Sequence, residues 1–109
     1  MRRSTRYRKT FKGSNPLTPA FKALRKLGYF ARQDFQCCQS CAWSYVPKDK
    51  SDKVVFYHHQ DKQNMMQTGD CFLAWSGDGE EICYTLRSFG FIVEWDGSSN
   101  QRIVIKNVI

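Results

Sequence analysis

Residues 78–108 read DGEEICYTLRSFGFIVEWDGSSNQRIVIKNV, and this stretch sets a helix, a turn and two strands in the order that decides the fold. Asp78 and Glu81 have capping-box spacing, and Ile82, Cys83, Leu86 and Phe89 follow at i, i+1, i+4 and i+7, an apolar stripe that Gly90 closes. The period then changes. Residues 91–95 and 102–108 are rich in β-branched and aromatic side chains, and Asp96, Gly97, Ser98, Ser99 and Asn100 between them are turn residues, so a C-terminal β-hairpin is predicted.

Working back along the chain, residues 71–75 form an apolar strand, and Gly69 ends a short helix that holds Met65 and Met66 and that Asp61 is expected to cap. Residues 53–59 are β-branched and aromatic, which predicts a strand with both histidines at its exit. The KDKSDK stretch before it is an exposed loop, and residues 42–46 suit a turn of helix or a short strand. Residues 29–36 predict a strand with Tyr29, Ala31 and Phe35 on one face. Thr18 and Pro19 start a helix with a side-chain cap, and Phe21, Leu24 and Leu27 make its buried stripe before Gly28. The order αβ(α)β(α)βαββ predicts a single α+β domain with a mixed four- to five-stranded sheet and helices packed mainly on one face.

The 109 residues, 41% apolar and 15% aromatic, suffice for one modest core. No run approaches the roughly 18 apolar residues of a membrane-spanning helix, and charge without an apolar core behind it argues against a signal peptide. Five cysteines, three of them crowded together, do not suit a secreted disulfide lattice, so a cytoplasmic location is expected. The net charge is +7, and its distribution is uneven. Arg2, Arg3, Arg6, Arg8, Lys9 and Lys12 precede Gly13 with no acid among them, whereas the remainder is nearly neutral. Residues 1–14 are therefore expected to be a basic flexible arm ahead of a domain at 15–109. With Tyr7 among these cations, the arm suits phosphate neutralisation and base stacking; its expected partner is nucleic acid or an acidic protein surface.

Chemistry is concentrated at Cys37, Cys38 and Cys41. The C-x-x-C spacing of Cys38 and Cys41 lets two thiolates approach one tetrahedral zinc ion. The second half of such a site falls to the adjacent His58 and His59, of which a strand can direct only one toward it. His58 is preferred, with Cys37 or Asp61 completing the fourth position or orienting the ring. Two other readings stay open: cysteines as small buried hydrophobes, and a thiol- or zinc-dependent hydrolase using Cys38 or Cys41 with His58. Asp78, Glu80 and Glu81 put negative charge at the helix start after residue 77, which favours a cap there over phosphate capture. Trp43, Trp75 and Trp95 are expected as core anchors.

Cys37, Cys38, Gln39, Ser40 and Cys41 spell CCQSC; His58, Gln60 and Asp61 fit H-x-Q-D at a strand end; and Trp95, Asp96 and Gly97 form a W-D-G hairpin. On these motifs residues 23–105 resemble a family of small uncharacterised bacterial domains. That resemblance implies a shared site built from the first two motifs and implies no activity. The leading functional expectation is a non-enzymatic binding module, a metal-stabilised body with a basic arm. The alternative from a different class is a phage or mobile-element inhibitor of a host defence complex.

Overall fold

The computed structural model of the protein describes residues 15–108, so the arm expected at residues 1–14 lies outside the described residues. The order is α1 Thr18–Lys26, β1 Phe30–Arg32, α2 Gln39–Ser44, a 3-10 turn at Lys48–Lys50, β2 Val54–Phe56, α3 His59–Thr68, β3 Cys71–Ser76, α4 Gly79–Ser88, β4 Ile92–Glu94 and β5 Ile103–Lys106. The five strands form one mixed sheet in the order β1-β2-β3-β5-β4. β1 runs parallel to β2, and the other pairs are antiparallel. The predicted hairpin is β4–β5, with Val93 opposite Ile105.

Strand alternation divides the interior into two clusters. Ala31, Val55, Leu73, Val93, Ile103 and Ile105 face the larger one, where Phe21 and Leu24 of α1 and Ile82 and Leu86 of α4 meet them. Each fully buried Val, Leu, Ile and Phe side chain among them contributes about 1.5–3 kcal/mol over its exposed state. Truncation of Leu86 to Ala would cost about 3 kcal/mol, since it also leaves a void. The intervening strand residues Phe30, Val54, Phe56 and Ala74 face the other way and pack on Ala42 and Val46. Helices thus lie mainly on one face, with α2 the exception.

Several local expectations shift. The residue flanking α1 is Leu17, not Thr18, and no side-chain bond caps the helix from that position. Instead Asn15 Oδ1 accepts from the Leu17 N–H at 2.8 Å, and Thr18 Oγ1 donates to Gln33 at 3.3 Å. The strand expected at 29–36 ends at Arg32, because Asp34 and Gln36 take left-handed φ of 50° and 65°. That reversal sends Phe35 to the opposite face from Tyr29 and Ala31, edge-on to Phe30 and Phe56 at 5.6 and 5.8 Å. Asp61 does not occupy the cap position of α3 either; His58 does, as set out below.

The three tryptophans are partly buried packing residues. Trp75 and Trp95 meet edge to face at 5.4 Å, and each indole N–H donates to a backbone carbonyl, of Gln101 and Ser98, at 2.9 Å. Asp78 caps α4 as expected, accepting from the N–H groups of Glu80 and Glu81. Glu81 does not complete a capping box: its carboxylate accepts from the Tyr29 hydroxyl at 2.8 Å. Gly79 has a packing reason, because a Cβ there would lie 2.6 Å from Trp95 and 2.9 Å from Trp75.

Candidate metal centre

The left-handed residues Asp34 and Gln36 fold the chain back after β1 and deliver Cys37 and Cys38 to the start of α2. This loop is pinned twice from outside itself. Phe35 N–H donates to Tyr57 O at 2.9 Å, and His59 N–H donates to Gln36 O at 2.9 Å. Beneath it, Trp43 stands edge-on to Phe56 at 5.1 Å, so α2 rests on an aromatic layer shared with Phe30 and Phe35. Offset and edge-to-face pairs of this kind add about 0.5–1.5 kcal/mol each beyond the area they bury.

The thiols of Cys37, Cys38 and Cys41 all lie within 4.8 Å of one another, which is a group that can hold a metal ion. Cys37 and Cys38 sulfurs are 4.0 Å apart and unbonded. With Zn–S bonds of about 2.3 Å, tetrahedral geometry needs sulfurs about 3.8 Å apart, so closure asks for movements of about 1 Å or less. Cys38 is the residue flanking α2 on its N-terminal side. The Ser40 hydroxyl and the backbone N–H and thiol of Cys41 stabilise its anion and bring its pKa down to about 7, while Cys37 and Cys38 push Cys41 up to about 11. Cys38 therefore loses its proton before Cys41, and a bound cation would displace the thiol protons that remain. The remaining cysteines are unlike these. Cys71 and Cys83 are buried core residues, and burial raises the pKa of both thiols.

His58 and Asp61, expected beside the thiols, are not part of that group. His58 is 5% exposed and caps α3: its Nδ1 accepts from the Asp61 N–H at 3.3 Å, and Asp61 Oδ2 accepts from the His58 N–H at 3.1 Å. The Nε2 atom lies 3.1 Å from the same carboxylate. Both ring nitrogens are thus engaged by one residue, and the neutral tautomer that fits carries its proton on Nε2. Asp61 is further committed to Arg102, whose two terminal nitrogens reach its two oxygens at 3.0 and 2.6 Å. This is a buried structural clamp. The His-x-x-Asp spacing is a capping-box spacing, which is the signal that could have revealed it.

His59 lies outside that group as well, but it is exposed and tied to the loop that carries the thiols. Its backbone is bonded to Gln36, next to Cys37, and its Nδ1 sits 2.9 Å from Asp34 Oδ1, while Lys62 holds the other oxygen of Asp34 at 3.4 Å. A carboxylate on one nitrogen is the arrangement that orients a metal-binding imidazole through the other. The basic residues Arg2, Arg3, Arg6, Arg8, Lys9 and Lys12 and their aromatic neighbour Tyr7 lie outside the described residues. Among the described residues no helix is long and apolar enough to cross a membrane.

The chain belongs to a family described as a domain of unknown function (DUF6891), whose model matches residues 12–109. The match takes in the whole described domain and begins at Lys12, inside the segment read as an arm. No curated protein and no solved structure matches the chain.

Proposed function

We propose that this protein is a non-enzymatic binding module whose cysteine trio holds a structural zinc ion and whose basic N-terminal residues engage nucleic acid. The observation that supports the metal half most strongly is the convergence of three sulfurs on a loop clamped to Tyr57, just after β2, and to His59 of α3. The fourth position is assigned to His59 with Asp34 behind it, since residues 1–14 contain no Cys, His, Asp or Glu and His58 is spent on Asp61. Three thiolates would leave a divalent ion with net negative charge, which weakens its pull on the proton of a bound water. Catalytic zinc sites keep a position open for water, whereas three thiolates and an imidazole would close it. A structural ion is therefore favoured over a hydrolytic one.

The nucleic-acid half rests on charge. Six cations without an acid ahead of Gly13 would release counterions from a phosphate backbone. The decisive experiment is metal analysis and cobalt titration of the purified protein beside Cys37→Ser, Cys38→Ser, Cys41→Ser and His59→Ala. One ion per chain, a tetrahedral thiolate spectrum and loss of that spectrum in each cysteine variant are expected. Protein that stays metal-free after zinc addition would remove the metal half of the proposal. His58→Asn is the control, expected to retain the ion.

A further inference from the structure

The uneven charge extends past the N-terminal residues. Residues 1–33 contain ten basic and no acidic residues, while the rest of the chain has seven basic and ten acidic. The described end of this basic third is the outer edge of the sheet, since β1 pairs only with β2. There a concavity of about 250 Å³ is lined by Arg25, Gly28, Tyr29, Phe30, Arg32 and Lys50. It holds three cations and no acid, and it is smaller than the roughly 300–1,000 Å³ of sites that enclose drug-sized ligands.

Its two guanidinium groups are gathered deliberately close. Arg25 Nε donates to Ala31 O at 3.1 Å, and Arg32 Nη1 donates to the same oxygen at 3.0 Å. Arg32 also lies flat against the Phe30 ring, its central carbon 4.1 Å from the centroid, which restrains the fork. None of the ion pairs among the described residues includes Arg25, Arg32 or Lys50. The neighbouring Lys53 is committed: its ammonium donates to Leu27 O at 2.6 Å and sits 4.0 Å from Glu81. Two like charges held on a single carbonyl oxygen, with a third cation beside them and no acid in the lining, make a surface suited to an anion. Each guanidinium keeps further N–H donors, and planar forks of this kind match phosphate oxygens.

We propose that this edge pocket binds phosphate, and specifically a backbone phosphate of a single-stranded nucleic acid. A nucleic acid is chosen over an acidic protein because paired guanidinium forks match phosphate oxygens and the charge of a nucleic acid repeats at every residue, which suits a sequence with ten cations and no acid in residues 1–33. The proposal rests on the nucleic-acid half of the reading above and adds a defined contact on the folded body.

Two titrations of the full chain, with Arg25→Gln/Arg32→Gln as the variant, separate the two ideas. Inorganic pyrophosphate followed by amide NMR should shift residues 28–32 saturably, and the variant should lose at least about tenfold in affinity. A twelve-nucleotide oligothymidylate followed by fluorescence anisotropy should bind the variant about tenfold more weakly. The log–log salt dependence should become shallower by about 1, given about 0.7 per phosphate contact for single strands. Arg25 on α1 is exposed and Arg32 on the edge strand β1 is half-buried, so the variant is expected to fold, and its melting curve checks that. Equal oligonucleotide affinity and salt slope in the variant and the parent protein would overturn the pocket while leaving the nucleic-acid reading intact. Pyrophosphate binding in the pocket without oligonucleotide binding would keep the phosphate site and overturn the nucleic acid. Displacement of pyrophosphate by polyglutamate but not by the oligonucleotide would assign the pocket to acidic protein and refute the proposal as stated.

Discussion

Residues 78–106 and residues 33–61 are stretches of equal length that meet the same sheet, yet they are held in different ways. In the first, each element follows from its neighbours in sequence: Asp78 caps α4, the apolar stripe buries Ile82 and Leu86, and the β4–β5 hairpin closes across a turn. In the second, the path is set by groups far apart in the chain. Phe35 is tied to Tyr57, Gln36 to His59, Asp34 to His59 and Lys62, and Asp61 to Arg102. Apolar packing spreads its stabilisation over many side chains, while a polar clamp concentrates it in one or two. The second region should therefore be the more sensitive to single polar substitutions.

The strongest way to break that contrast is Asp61→Ala. It leaves Arg102 facing a gap and removes the carboxylate from His58 Nε2 and from the His58 backbone N–H, at a cost of about 3 kcal/mol. Denaturant unfolding measures it. A loss below about 1 kcal/mol would mean the clamp is ornamental and the two regions are alike. Asp61→Leu paired with Arg102→Met sharpens the point: with both charges gone the cost should be smaller than for Asp61→Ala alone.

The first region has one exacting position of its own. Gly79→Ala puts a methyl group 2.6 Å from Trp95, so the Trp75–Trp95 pair must move apart, for about 2 kcal/mol. Near-UV circular dichroism should register the altered indole packing, and an unchanged spectrum would show that the pair yields without strain.

Zinc distinguishes the regions in a third way. At a free concentration about one hundredfold above Kd the ion should stabilise the parent protein by about 2.7 kcal/mol. Without zinc, Cys37→Ser and Cys41→Ser should lie within about 0.5 kcal/mol of the parent, because these side chains are not core residues. Equal zinc stabilisation of the serine variants, measured by thermal melts with and without the ion, would place the metal elsewhere.

The contrast also explains what the sequence disclosed. The α4 stripe, the hairpin, Gly69 as a left-handed terminator with φ of 86° and the sheet class were legible, because spacing and turn chemistry are local signals. The cysteine trio was legible for the same reason. The end of β1 was not, since Asp34 and Gln36 adopt positive φ without being glycine, and the partners that hold this loop sit just after β2 and on α3. The role of Asp61 escaped because its counter-charge, Arg102, is 41 residues away, and a carboxylate before a helix reads as a cap until that partner is seen. His58 was assigned to metal on strand alternation alone. The strand ends at Phe56 and His58 caps α3, so alternation does not direct its ring, which faces the Asp61 carboxylate.

The smallest expected effect tests the clamp through pH. Burial holds the His58 pKa below its ordinary 6.5, opposed by the Asp61 carboxylate and assisted by the Arg102 charge, the two ionised groups that face the ring. The folded ring therefore stays neutral where the unfolded one is already protonated. More protons on the unfolded chain means that stability is complete above about pH 6.5 and declines as the pH falls below it, toward the lower pKa of the folded state. Asp70 does not confuse this window. Burial pushes its carboxyl up, but bonds from Lys106 and the Asn107 N–H outweigh that and hold it below 3.8, so its contribution fades only in stronger acid. Asn is a good residue for a helix start and keeps an acceptor for the Asp61 N–H, so His58→Asn should cost within about 1 kcal/mol at pH 7.5. Its melting temperature should then be flatter than the parent's between pH 7 and 5. A parallel decline in both proteins would assign the proton to another group and leave His58 a cap with no part in the acid response.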